Sequence, residues 1–302
     1  MDNSLDNNPG PWTTDRGYCG YLLIRFILDY GGGAIDVTVL FRSSMITRCK
    51  LEIRMRRLMI ISHKHKFIFL KPYKVAGSSF EFALSSILGP RDLVTYLSKD
   101  EEKKRWIELG VKERNNRKTL PELLKDFSFQ NKRDFKSLRW PKLVHPHAPA
   151  EDIKSFLGDA LWEQYTKVSL IRNPWDYLLS AYYWNPSNQN RKPFEQWIKE
   201  NIQIVGGNNR QYYINGECVI DVFLRHEHLL SDLSALPVSE GDKQKVKLYL
   251  SKARFKSGFR KTDKSEETKM LKNASFVDPI IGSLCELEVG KFGYKKTDLK
   301  NS

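Results

Sequence analysis

The fold is decided by residues 66–89, which read KFIFLKPYKVAGSSFEFALSSILG. The apolar run 67–70 has a lysine on either side, which is typical of a short strand buried on both faces of a parallel sheet. A loop containing Gly77 follows, and apolar residues then recur at helical spacing over 80–88 until Gly89 ends the pattern. The stretch therefore predicts a strand, a tight loop and a helix in direct succession.

A second copy of this succession begins at residues 168–171, VSLI, which form another short apolar run. Arg172 falls at its end, Asn173 can cap the next helix, and Pro174 suits the first position of that helix. A third strand is predicted over 219–225. Strands that alternate with helices predict an α/β fold with a central parallel sheet flanked by helices, and such sheets bind ligands at the carboxyl ends of their strands.

The composition is that of a folded, basic protein. The 302 residues include 50 Lys and Arg against 36 Asp and Glu, a net charge of +14, and 40% of the chain is hydrophobic, which excludes a disordered class. This charge attracts polyanions: nucleic acid, a membrane surface, an acidic polysaccharide or a nucleotide-like cofactor. The four cysteines are scattered, with no histidine at zinc spacing, so we expect reduced thiols and no metal site.

The first 58 residues differ from the rest, because they lack a clean helical or strand period. We therefore divide the chain into a poorly defined N-terminal extension, 1–58, and a single α/β domain, 59–302; the alternative is an extra strand and helix at the domain edge. The apolar stretch 20–41 is interrupted by charged residues and a glycine run, which disfavours a membrane span. We expect a cytoplasmic enzyme without a stable membrane anchor.

Residues 71–79 carry groups that suit phosphate or sulfate. Backbone N–H groups and the helix dipole at the start of the helix make an anion site, and Gly77 lets the backbone approach a ligand closely. Ser78 and Ser79 add hydroxyl donors and Lys74 adds a positive charge. Ser78 also has capping-box spacing from Glu81. The loop is not a Walker A motif, GxxxxGK[ST], because its lysine comes three residues before the glycine.

The order Lys-Val-Ala-Gly-Ser-Ser at 74–79 resembles the 5′-phosphosulfate loop of sulfotransferases that use 3′-phosphoadenosine-5′-phosphosulfate (PAPS), whose common form is Lys-Thr-Ala-Gly-Thr-Ser. Residues 170–182, LIRNPWDYLLSAY, resemble the 3′-phosphate segment of the same family, in which Arg-x-Pro precedes a helix that bears a Ser eight residues after the Arg. Two such motifs in this order, each on a strand–loop–helix frame, are a specific combination.

Shorter segments add to the resemblance: 147–150, which is similar to a His-bearing segment of carbohydrate-type sulfotransferases; 222–230, which looks like an Arg-x-Glu-x-Leu strand; and 292–294, which resembles the usual end of the domain. The resemblance covers about 59–294. It departs from the family at Val75 and Ser78, where Thr is usual. Because Val75 lacks a hydroxyl, a family member that binds the donor without transferring stays an alternative.

The resemblance implies a P-loop-containing nucleotide-hydrolase-like (sulfotransferase) fold and in-line transfer of a sulfuryl group from PAPS to an acceptor hydroxyl, without a metal ion. The acceptor that we expect is a carbohydrate, and a small alcohol or a tyrosyl peptide stays open. Lys74 would neutralise charge on the leaving phosphate, and His147 or another residue would be the general base. The implied donor-binding residues are Lys74, Val75, Ala76, Gly77, Ser78, Ser79, Arg172 and Ser180.

Two other functions stay open on the sequence. A P-loop-like small-molecule kinase would need a Walker A lysine and a Mg²⁺-binding carboxylate, and the first is missing from the sequence. A basic polyanion- or nucleic-acid-binding protein without catalysis would account for the charge, although the sequence carries no recognisable nucleic-acid motif. We therefore expect a nucleotide donor and a hydroxyl acceptor as partners, and no nucleic acid.

Overall fold

The computed structural model describes residues 60–114, 147–184, 192–253, 255, 260 and 263–300, together with the backbone of three strands within 13–42. The chain divides into two compact units, Met1–Arg57 with Asn116–Leu143, and Leu58–Asn115 with Val144–Ser302. The division into an extension, 1–58, and a domain, 59–302, stays a prediction.

The described part of the first unit is a three-stranded antiparallel sheet. Its strands follow the order β1 (Thr13–Asp15), β2 (Tyr21–Tyr30) and β3 (Gly33–Arg42). The longest pairing joins β2 to β3, from Tyr21 opposite Arg42 to Tyr30 opposite Gly33. These strands lie in the segment that we expected to be a poorly defined extension, and the alternative considered for it contained one strand and a helix.

The second unit is built on a four-stranded, mostly parallel sheet in the order β4-β5-β6-β9. Here β4 (Ile60–Ser62) is antiparallel to β5 (Phe67–Leu70), while β5, β6 (Thr166–Ile171) and β9 (Val222–Arg225) are parallel neighbours. A separate antiparallel pair consists of β7 (Tyr213–Ile214) and β8 (Glu217–Cys218). The predicted α/β architecture with a central parallel sheet is confirmed, and the third predicted strand begins at Val222 instead of 219.

Helices connect and cover these strands. The described α-helices are α1 (Gly77–Ser85), α2 (Lys99–Leu109), α3 (Ala150–Leu157), α4 (Asp159–Gln164), α5 (Pro174–Trp184), α6 (Phe194–Glu200), α7 (Asn209–Tyr212), α8 (Leu229–Asp232), α9 (Glu240–Lys252), α10 (Lys264–Asn273) and α11 (Asp278–Leu284). Single 3₁₀ turns occur at Ile202–Ile204, His226–His228, Leu233–Ala235, Ser275–Val277 and Lys296–Lys300, and a π-helical turn at Leu287–Lys291. No helix among the described residues combines the length and apolar character needed to cross a membrane.

Alternate residues of β5 enter two different hydrophobic cores, one on each face of the sheet. Phe67 and Phe69 pack with apolar side chains of α1 and α9, whereas Ile68 and Leu70 pack with those of α3 and α4. All four side chains are fully buried. A strand covered on both faces reads as a continuous apolar run, which is why residues 67–70 could be recognised from the sequence.

Candidate functional site

The loop between β5 and α1 has an unusual backbone. Lys74 (φ 55°) and Ala76 (φ 63°) both adopt the left-handed conformation, and Val75 between them does not. A turn in which left-handed residues alternate with others can direct its N–H groups to one side as a concave anion-binding nest, and we refer to residues 74–76 as the nest. Non-glycine residues in this conformation store strain, which concentrates at ligand clamps. The nest leads directly into the first turn of α1, whose N–H groups have no i−4 carbonyl within the helix.

Gly77, the first residue of α1, lies against the side chain of Lys71. A Cβ atom at Gly77 would come within 2.7 Å of Lys71 Cγ and 2.8 Å of Lys71 Cε. The Lys71 side chain therefore passes directly beneath the loop, and its Nζ reaches Glu81 Oε2 at 2.6 Å and Ser78 Oγ at 3.4 Å. Glycine is required here for close packing against a buried lysine, a role that the sequence analysis did not assign.

The predicted capping box between Ser78 and Glu81 is wrong. Ala76 is the N-cap residue of α1, and Glu81 is fully buried in an ion pair with Lys71. A buried carboxylate needs a paired charge more than a helix end needs a cap, because isolated burial of an ionised group is far more costly. The Glu81 carboxylate is therefore drawn under the loop instead of folding back on the helix start.

The predicted donor-binding residues of the loop differ in what they can offer. Val75 is fully buried among Phe69, Phe80 and Leu84, so only its main chain can face an anion. The missing hydroxyl at this position is thus explained by core packing. The side chains of Ser78 and Ser79 are largely covered, at 8% and 6% exposure, while Gly77 and Ala76 contribute backbone.

The two sequence motifs meet at the carboxyl ends of neighbouring strands. Arg172 follows β6 and donates through Nη1 to the carbonyl oxygen of Lys74 in the loop after β5. Its Nε and Nη2 each lie 2.6 Å from Asp176 Oδ2, and the second N–H of Nη1 and of Nη2 takes part in none of these three contacts. Arg172 thus joins the two motif loops, and both loops follow strand ends, where the sequence placed Lys74 and Arg172.

Asp176 is a buried carboxylate held between two arginines. Besides Arg172, Arg260 donates to its Oδ1 at 2.6 Å and to its main-chain oxygen at 2.9 Å. Burial acts to raise the pKa of Asp176, but the charges and hydrogen bonds of the two arginines outweigh it and hold that pKa below its usual value. Arg260 belongs to a basic C-terminal stretch and is a site residue that the sequence motifs missed.

Helix α5 carries the rest of the second motif. Asn173 caps it, as predicted, by accepting through Oδ1 from the N–H of Trp175 at 3.0 Å. Ser180 lies almost two turns along the helix and is partly exposed; its hydroxyl forms no hydrogen bond with Arg172 or with any other described residue. At the last turn of α5, Trp184 forms a cation–π contact with Lys74, whose Nζ lies 4.0 Å from the ring centroid.

His147 is brought against the loop, as its predicted role requires. Its ring stacks on Tyr73 with centroids 3.6 Å apart and planes inclined by 22°. Its Nδ1 lies 3.0 Å from the carbonyl oxygen of Lys71. Because a carbonyl oxygen can only accept, Nδ1 carries the proton, and in the neutral ring Nε2 then holds the lone pair. Nε2 is therefore the nitrogen that can accept a proton.

Residues 208–211 hold this stack in place. Asn208 clamps the main chain of Tyr73, since its Oδ1 accepts from Tyr73 N at 2.8 Å and its Nδ2 donates to Tyr73 O at 3.2 Å. Gln211 donates to the carbonyl oxygen of His147 at 2.6 Å. Arg210 places its guanidinium carbon 5.3 Å from the Tyr73 ring centroid. The only signal in the sequence is a polar run, NNRQ, which has no recognisable period.

The segments with weaker family resemblance are tied to the second motif. Glu227 accepts from the main-chain N–H of Asn173 at 2.9 Å and from the hydroxyl of Tyr294 at 2.6 Å. Arg225 instead forms a two-pronged ion pair with Asp232. Glu227 and Tyr294 thus position the strand end that bears Arg172, and neither contact requires a ligand.

One group of side chains has the composition of a metal site: Asp176, His226 and Glu227, which offer ligand atoms within 4.8 Å of one another. Arginines occupy both oxygens of Asp176, and an N–H and a hydroxyl occupy those of Glu227. A cation there would compete with Arg172 and Arg260 for the same oxygens. The geometry therefore suits a structural network of hydrogen bonds.

Compared with known proteins, this chain matches no family model, no curated protein and no solved structure.

Proposed function

We propose that this protein transfers a sulfuryl group from PAPS to an acceptor hydroxyl. The observation that carries the proposal is the contact between Arg172 and the Lys74 carbonyl. It brings two motifs that lie far apart in the sequence to one edge of a parallel sheet, where α/β proteins bind their ligands. The observed fold is an α/β sheet covered by helices. Its assignment to the P-loop-like sulfotransferase type is part of the proposal.

The donor side consists of groups that suit a phosphosulfate. The nest formed around Val75 and the first turn of α1 offers backbone N–H donors to the sulfate and 5′-phosphate oxygens. Lys74, whose Nζ lies over the Trp184 ring, provides the positive charge that neutralises the leaving phosphate. Arg172, with Arg260 beside it on Asp176, provides guanidinium donors for a second phosphate. Ser180 stays a proposed contact to that phosphate.

The acceptor side consists of His147 on the stack with Tyr73. The acceptor oxygen attacks sulfur as the bond from sulfur to the 5′-phosphate oxygen breaks, and that phosphate leaves with the electron pair. The proton of the acceptor hydroxyl passes to Nε2 of His147, which the Lys71 carbonyl keeps in the accepting tautomer. The acceptor that we propose is a carbohydrate.

The test is calorimetric binding of adenosine 3′,5′-bisphosphate, without Mg²⁺, compared with ATP. We expect affinity in the micromolar range, preference for the bisphosphate, and a loss of about tenfold or more in Lys74→Ala and in Arg172→Ala. Lys66→Ala is the matched control, because Lys66 also has a positive φ, 53°, but lies at the opposite end of β5. Equal binding of ATP would favour a kinase, and equal losses in all three variants would favour non-specific polyanion binding.

A further inference from the structure

Arg210 is an exposed arginine with no acidic partner among the residues that the structure describes. This distinguishes it from the other arginines near the strand ends: Arg172 and Arg260 both hold Asp176, and Arg225 holds Asp232. A guanidinium offers five N–H donors in a planar fork that matches carboxylate and sulfate groups. An exposed fork without a carboxylate is therefore a candidate anion subsite.

Arg210 lies close to His147, the proposed base. Its guanidinium carbon lies 5.3 Å from the Tyr73 ring centroid, and the Tyr73 and His147 centroids are 3.6 Å apart, so the guanidinium cannot be farther than about 9 Å from the His147 ring. That span is shorter than a disaccharide. An acceptor that gives its proton to His147 could therefore place a neighbouring anionic group on Arg210.

Two further features hold Arg210 and the residues around it in a fixed position. Arg210 packs over a tyrosine ring that Asn208 fixes through two main-chain hydrogen bonds, so the guanidinium rests on an immobilised surface. Asn208 and Gln211 are themselves buried, and Gln211 holds the main chain of His147. One short segment, 208–211, thus positions the base and presents the cation at the same time.

We infer that Arg210 is an anion subsite of the acceptor pocket, and that the acceptor carries a carboxylate or a sulfate next to the hydroxyl that receives the sulfuryl group. This inference rests on the proposed function, since it is the transfer reaction that makes the ligand near His147 an acceptor. The overall charge of +14 is consistent with an anionic acceptor. The position of the anion is argued from Arg210, which has no carboxylate partner in the described part of the chain.

The test measures binding of three short oligosaccharide probes by calorimetry: oligogalacturonate, which carries carboxylates, sulfated dextran oligomers, and neutral dextran oligomers. Each is measured with and without saturating adenosine 3′,5′-bisphosphate, at an ionic strength of about 0.15 M to limit long-range attraction. The variants are Arg210→Gln, Arg210→Lys and, as the control, Arg91→Gln. Arg91 is exposed and adjoins Asp92, which bonds to Ser62 at the end of the sheet opposite the loop.

We expect the protein to bind at least one anionic probe and not the neutral one. Arg210→Gln should weaken that binding about tenfold or more, Arg210→Lys should lose less, and Arg91→Gln should change nothing. The affinity for the bisphosphate should be the same in Arg210→Gln and the unaltered protein. The carboxylated and sulfated probes distinguish the two chemistries.

Several results would overturn the inference: binding of the neutral probe as strong as that of the anionic ones, no binding of either anionic probe, or equal losses in Arg210→Gln and Arg91→Gln. A fall in bisphosphate affinity in Arg210→Gln would also overturn it, because Arg210 would then be a donor contact. If the unaltered protein fails to bind the bisphosphate at all, the proposed function fails separately, and the probes without nucleotide still report on Arg210.

Discussion

Replacing Gly77 by alanine tests the close packing on which the loop depends. The new Cβ would lie 2.7 Å from Cγ, 2.8 Å from Cε and 3.2 Å from Cδ of Lys71, all well inside van der Waals contact. The Lys71 side chain is 8% exposed and its Nζ is bound to Glu81 at 2.6 Å, so it cannot move away without disturbing a buried ion pair.

The loss of stability depends on whether the Lys71–Glu81 ion pair survives the substitution. If the side chain adjusts while the ion pair persists, the cost is that of overpacking, about 1–3 kcal/mol. If the pair breaks, the Glu81 carboxylate is left buried without its cation, and the cost rises to about 3–5 kcal/mol. We therefore expect Gly77→Ala to lower the free energy of unfolding by at least about 1 kcal/mol. For a unit of this size, that lowers the melting temperature by about 2–4 °C for each kcal/mol.

Thermal unfolding followed by circular dichroism measures this effect. The control is Gly282→Ala within α11, where a Cβ would meet no atom within 4 Å; it should stabilise the protein by about 0.5–1 kcal/mol, because alanine favours the helix. A second comparison makes Gly77→Ala in a protein that already carries Lys71→Ala and Glu81→Gln. The cost should then vanish, since the three clashing atoms are gone. The argument would be refuted by a stabilisation from Gly77→Ala in the otherwise unaltered protein, or by an unchanged cost of Gly77→Ala in the protein that carries Lys71→Ala and Glu81→Gln.

Two further outcomes are expected. His147→Ala should slow release of adenosine 3′,5′-bisphosphate from PAPS in the presence of an oligosaccharide pool by about 10²–10⁴-fold while leaving bisphosphate affinity unchanged, and an undiminished rate would exclude His147 as the base. Burial raises the pKa of Glu288 from 4.5 to about 7, so the folded protein holds this proton more tightly than the unfolded chain does. The free energy of unfolding should therefore fall by roughly 3 kcal/mol as the pH rises from about 4.5 to 7. Glu288→Gln should abolish that slope in pH-dependent denaturation, whereas Glu286→Gln, at an exposed position, should keep it; an unchanged slope in Glu288→Gln would contradict the assignment.

The sheet and the placement of the motif loops could be predicted from the sequence because they depend on local patterns. Residues 67–70 and 168–171 are short, mostly apolar runs of buried parallel strands, and each is followed by a loop and a helix. Pro174 does begin the second helix as predicted, whereas the capping box expected at Ser78 for the first helix is not formed. The hairpin of β2 and β3 was not predicted, although two glycines, Gly31 and Gly32, lie between two apolar runs in the sequence, which is a hairpin signal.

The missed site features depend on contacts between distant residues. Glu81 has capping-box spacing, but its real partner is Lys71, which reaches it only because Gly77 leaves room. The segment 208–211 has no local pattern at all, and its importance comes from contacts with Tyr73 and with His147, more than sixty residues away. Such pairings cannot be derived from periodicity or capping rules.

The hydrogen bond from Tyr294 to Glu227 has a consequence for how the chain folds. Glu227 holds the start of α5, so the edge that carries Arg172 is completed only when residue 294 has joined it. The strands of that edge are also distant in sequence, since 98 positions separate Arg172 from its acceptor at Lys74. Closing such long loops is slow, and parallel pairing delays it further. We expect the loop after β5 to acquire its final conformation late in folding, after both hydrophobic cores have formed.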